Sequence, residues 1–173
     1  MLINIKLIDE LMSKLNDDEK LVCGPVIDHL LELGYTVKKC KKSTFTIKFE
    51  KCGRAIVKLE HGKQYKTDLE PHLSFWLRFS ASNQYPQKFQ DAVDRRSPAW
   101  VKRGQHWQPQ NPESCCGLCK GKPRFYHYTA EDGSMFESCG GYTKRVPGVT
   151  VEDVPEILRM IKVQDAHFAE MLA

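Results

Sequence analysis

The residues best suited to do chemistry are cysteines, and they lie late in the chain. Cys115-Cys116-Gly117-Leu118-Cys119-Lys120-Gly121 is followed by Cys139-Gly140-Gly141-Tyr142. Cys116 and Cys119 have Cys-x-x-Cys spacing, with a glycine two residues beyond. Thiolates so spaced can reach one tetrahedral Zn²⁺ at about 2.3 Å each. A small residue after them lets backbone N–H groups approach the sulfurs. Between the two clusters stands Asp132-Gly133, a strong short hairpin signal that would bring Cys139 back to the same end. Cys116, Cys119 and Cys139 are therefore the candidate metal ligands, and zinc is the candidate cofactor.

This stretch resembles a zinc ribbon, in which a β-hairpin joins two cysteine knuckles. A full ribbon has Cys-x-x-Cys at both, whereas here Tyr142 stands where the fourth ligand would be. Structural zinc is almost always four-coordinate. A two-residue turn at Asp132-Gly133 sets Cys139 opposite Tyr126 and His127 opposite Ser138. Alternation then turns His127 to the face away from Cys139, and a one-residue bulge would reverse this. Adjacent cysteines rarely both reach one ion, which counts against Cys115 and leaves His106 or a distant residue. Three readings stay open: a bound thiophilic metal; a degenerate ribbon that keeps the hairpin without the ion; and a redox-active Cys116–Cys119 dithiol in a thiol redox protein or sensor. The thioredoxin-type context, Cys-x-x-Cys opening a helix after a strand, is absent. With its helices, its strand meander and a final helix containing Val163-Gln164-Asp165, the chain resembles a group of small uncharacterised bacterial proteins. The resemblance is most specific over residues 116–142. It implies an architecture and not a chemistry.

Aromatic residues supply a second candidate site. Tyr126, Tyr128 and Tyr142 belong to the hairpin segment, Trp100 and Trp107 to a proline-broken stretch, and Trp76 to the polar side of a strand. An indole between Ser74 and Arg78 is unusual on a solvated face. Either the protein's own segments cover it, or these six residues line a ligand pocket.

Composition bounds the remaining choices. In 173 residues, 26 Lys and Arg oppose 22 Asp and Glu, for a net charge of +4. That excess is mild, and the only dense basic run is Lys38-Lys39-Cys40-Lys41-Lys42. A nucleic-acid binder using these lysines and nearby aromatics is an alternative, ranked behind a small-molecule or protein partner. No apolar run suits a membrane span. No secretory signal is evident, so a cytoplasmic location is expected, where structural disulfides are rare. Phosphate-loop, dinucleotide, metalloprotease and nucleophile-elbow motifs are all missing. The reading leans away from an enzyme and toward a binding or accessory protein.

The elements that must position these residues follow from periodicity. Residues 5–20 read as an amphipathic helix and residues 25–33 as a second, with Pro25 in its first turn. Residues 35–41, 45–50, 54–60 and 73–80 read as strands, with a tight connection at Lys51-Cys52-Gly53. Residues 86–96 form a short helix carrying Phe89 and Val93. Residues 124–130 and 135–142 are the hairpin strands, and residues 150–172 a final helix capped by Thr150 or Asp153. The expectation is one α+β domain over residues 1–173: an antiparallel sheet packed by helices, with a C-terminal β-hairpin plus helix. Residues 1–96 make the helices and meander, 97–114 a connector, and 115–173 the ribbon-like unit. Cys23, Cys40 and Cys52 are scattered and read as core residues.

Overall fold

The computed structural model describes residues 5–40, 44–63, 70–82, 84–93, 125–129, 133 and 135–171. The fold is α+β, with a five-stranded antiparallel sheet whose strands in spatial order are β1 (Thr36–Lys39), β2 (Phe45–Lys51), β3 (Arg54–Gly62), β4 (His72–Leu77) and β7 (Lys144–Val146), a separate pair of β5 (Phe125–Thr129) with β6 (Met135–Cys139), and a helix after the last strand. The proposed connector, residues 97–114, lies outside the described residues.

Helix α1 spans Ile5–Met12 and α2 spans Asp17–Glu32. This corrects the placement of a helix start at Pro25, which sits inside α2. The start is set instead by a capping box. Asn16 Oδ1 accepts from the Glu19 N–H at 2.9 Å, and Glu19 Oε2 accepts from the Asn16 N–H at 3.0 Å. Pro25 has no N–H to give the preceding turn, so the helix carries one missing bond there. Val22, Cys23, Val26, Ile27 and Leu30 form its buried stripe. Gly34, at φ +81°, ends it in the left-handed conformation that glycine adopts without strain.

Strands β1 (Thr36–Lys39), β2 (Phe45–Lys51), β3 (Arg54–Gly62) and β4 (His72–Leu77) form the meander. Lys51 pairs with Arg54, so Cys52 and Gly53 make a two-residue turn. Both have positive φ, as a primed hairpin turn demands. Cys52 is exposed there, which corrects its assignment to the core; Cys23 is fully buried. Ile47, Phe49, Val57, Leu59, Phe75 and Leu77 occupy matched positions on one face and join the buried stripes of the helices in one apolar cluster.

Helix α3 (Gln87–Val93) buries Phe89 and Val93 as expected. Strands β5 (Phe125–Thr129) and β6 (Met135–Cys139) pair antiparallel. The strand expected over residues 135–142 is shorter, with β6 stopping at Cys139, and an unexpected strand beyond it, β7 (Lys144–Val146), pairs with the outer edge of β4. A three-residue strand is too short to show alternation. A 3₁₀ turn at Val151–Asp153 leads into helix α4, Val154–Glu170. The Asp153 carboxylate accepts from the Thr150 N–H at 2.8 Å, and Pro155 lies in the first turn of α4. Among the described residues, no helix is long and apolar enough to cross a membrane.

Candidate functional site

The turn that follows Cys139 is held by hydrogen bonds from Ser80 and Tyr126. The Ser80 hydroxyl donates to the Gly140 carbonyl at 3.1 Å, and the Tyr126 hydroxyl donates to the Tyr142 carbonyl at 2.7 Å. The turn after Cys139 is therefore tied at both ends. Ser80 itself lies against α4, where the fully buried Gln164 Oε1 accepts from the Ala81 N–H at 3.0 Å. Asp165 beside it accepts from Tyr35 Oη at 2.9 Å and from Lys51 Nζ at 3.0 Å. Adjacent residues of α4 thus fasten the β4–α3 loop and the start of the meander.

The β5–β6 register differs from the expected one by a residue. Tyr126 pairs with Ser138, His127 with Glu137 and Phe125 with Cys139. Five residues separate the paired positions Thr129 and Met135, and a two-residue turn would need an even number. Gly133, the described residue of that connection, has φ +80°, a left-handed conformation that glycine adopts without strain. Position 127 consequently shares a face with position 139, and position 126 lies on the other. Cys116, Cys119 and His106 lie outside the described residues. Among the described residues, no three His, Cys, Asp or Glu come together as a metal site.

The aromatic set does not assemble into one wall among the described residues. Tyr126 is fully buried, with its ring 4.7 Å from that of Phe79 and the Lys144 ammonium 4.9 Å from its centroid. Both ring and hydroxyl are used in docking β5. Tyr142 is exposed. Trp76 is half-buried on the sheet face opposite the core. Tyr128 shares the Tyr126 face by register, while Trp100 and Trp107 lie outside the described residues.

A cleft of about 580 Å³, not anticipated from the sequence, opens where the first turn of α2 meets the start of β4 and the β7–α4 connection. Leu21 and Val151 line it and are about half exposed. Glu19 works twice here: besides capping α2, its Oε1 accepts from the Leu73 N–H at 2.8 Å. That bond closes the edge of β4 just past the last β7 pair, Phe75 with Val146. The Arg145 guanidinium lies 3.4 Å from His72 Nε2. Hydrogen bonds from the Thr150 hydroxyl and its own N–H hold the Glu152 carboxyl below its usual range. The contributing segments are far apart in the chain, and of the lining residues Thr150 alone was singled out above, as a helix cap.

The scattered cysteines differ in exposure, from buried Cys23 to exposed Cys52. Burial, aided by the Glu19 carboxylate, pushes the Cys23 thiol up to about 12. Cys23 is thus an inert core residue. No protein-family model matches the chain, nor does any curated protein or solved structure.

Proposed function

We propose that the chain is a non-enzymatic cytoplasmic binding protein whose C-terminal segment carries one zinc ion. Cys116, Cys119 and Cys139 supply three thiolates, and His127 supplies the fourth ligand. The supporting observation is the β5–β6 register, with Phe125 opposite Cys139. It makes positions 127 and 139 diagonal neighbours on one face, a separation that long side chains span. The opposite face is docked through Tyr126, which leaves this one for the knuckles. A Cys₃His set is a common structural zinc site, and a reducing compartment keeps its thiols available.

Elemental analysis of purified, untagged protein tests this reading. Zinc should be present at one per chain, absent in Cys139→Ser, and held far more weakly in His127→Ala under chelator competition. A folded, metal-free wild-type protein would instead mean a degenerate ribbon. Full-affinity zinc in His127→Ala would remove the histidine from the ligand set.

A further inference from the structure

We infer that the cleft between α2, the start of β4 and the β7–α4 connection binds a small organic cation, a compact apolar body that carries an ammonium group. The site is separate from the cysteine segment and does not rest on the zinc reading. Its volume of about 580 Å³ is of the size that holds small ligands. Among the described residues, Ile5, Leu21, Tyr142 and Val151 are the exposed large apolar side chains, and two of them border this one cleft. Leu21, on α2, is 57% exposed, and Val151, on the 3₁₀ turn, is 48% exposed. Leu73 and Val146 also line it. Apolar surface left open in a concave site gains by exchanging water for an apolar body.

The charge of the ligand follows from how the carboxylates are shared out. Each helical start at the cleft carries two adjacent ones, Asp17-Asp18 on α2 and Glu152-Asp153 on the 3₁₀ turn. One member of each pair has a lysine. Lys20 Nζ lies 3.2 Å from the Asp17 carboxylate, and Lys88 Nζ lies 2.6 Å from that of Asp153. The other member, Asp18 or Glu152, lines the cleft. Among the described residues, no cation stands within ion-pair distance of either. A cationic head group would pair with both, and an anion would be repelled.

Helix starts attract anions, but here carboxylates of the chain already take that place. Glu19 accepts from the Asn16 N–H, and Asp153 accepts from the Thr150 N–H. Arg145 and His72 also border the cleft, yet alternation sends them to the sheet face opposite Leu73 and Val146, where the guanidinium lies 3.4 Å from the imidazole. The cation therefore seats at the α2 and 3₁₀ end. An extended peptide is disfavoured, because the Leu73 N–H at this strand edge is already taken by Glu19.

Amide NMR spectra of the isotopically labelled full-length protein, titrated with tryptamine, test the inference. Tryptophol, with a hydroxyl in place of the ammonium, and indolepropionate, with a carboxylate, are the matched probes. Tryptamine should shift the amides of Leu21, Leu73 and Val151, with a Kd on the order of 1 mM for a ligand of its size. Tryptophol should bind about 3- to 10-fold more weakly, the worth of one or two exposed ion pairs, and added salt should narrow the gap. Asp18→Asn/Glu152→Gln should bring tryptamine down to the tryptophol value with unchanged circular dichroism. Asp28→Asn, exposed further along α2, should bind as the wild type does. Leu21→Ser should weaken both probes. The probe comparison on the wild-type protein decides the charge whether or not the double variant folds. The inference is overturned by the absence of shifts at these amides at about ten times the expected Kd, by equal binding of tryptamine and tryptophol, or by a preference for indolepropionate.

Discussion

The five-stranded sheet and the β5–β6 pair are both antiparallel, but they reach their registers by different means. In the sheet, one face is apolar and the other charged. Slipping β2 or β3 by one residue would send Ile47, Phe49, Val57 or Leu59 to the face that holds the lysines and carboxylates. Many side chains thus vote for the same alignment. In the β5–β6 pair, the described anchor is Tyr126, seated against Phe79 and hydrogen-bonded to the Tyr142 carbonyl. A register backed by a contrast of faces is robust. One backed by a turn and a docked tyrosine depends on few contacts, and those contacts also hold the turn after Cys139.

The largest effect should come from the sheet. Phe49→Ala empties a fully buried position at the centre of the apolar cluster and should cost about 3–5 kcal/mol in urea unfolding. A loss below about 1 kcal/mol would show that this core is less decisive than the comparison requires.

Tyr126→Phe comes next. It keeps the ring but removes the donor to the Tyr142 carbonyl and the acceptor for the Phe79 N–H, which lies 3.4 Å away. The expected cost is about 1–3 kcal/mol. Hydrogen exchange should quicken in β5 and β6 well before β2 and β3. Uniform quickening across both sheets would mean that the two regions unfold as one unit.

The smallest effect is a pH dependence on the charged face. Burial pushes the Glu50 carboxyl up, but the ammoniums of Lys38 and Lys48 overcome it and leave the group below its ordinary value. Its unfolded value is the higher one, so its stabilisation is fully present above about pH 4.5 and is lost as pH falls through the folded value. Glu50→Gln should flatten the decline in melting temperature on acidification, by an amount worth about 1 kcal/mol or less. An unchanged acid limb would locate the decline elsewhere.

Much of the scaffold was legible in the residues. The alternation in β2 and β4, the left-handed turn at Cys52-Gly53, the Phe89 and Val93 stripe of α3, and Pro155 in the opening turn of α4 all carry local signals that tertiary packing leaves in place. The helix expected over residues 5–20 runs across the Asn16–Glu19 capping spacing, and it is the structure that sets the start of α2 at Asp17. β7 left no trace: three residues show no period, and their strand geometry comes from hydrogen bonds to β4.

The candidate sites divide the same way. The sequence by itself determined where the thiols and imidazoles stand in the chain and which strands can alternate, because side-chain type and period are local properties. Only the tertiary structure decided that positions 127 and 139 share a face, that Tyr126 docks its strand against Phe79, and that Asp18 and Glu152 border one cleft. Each of these depends on how segments distant in the chain come together. In the strand pairs, a shift of one residue, which leaves composition and spacing untouched, exchanges the two faces.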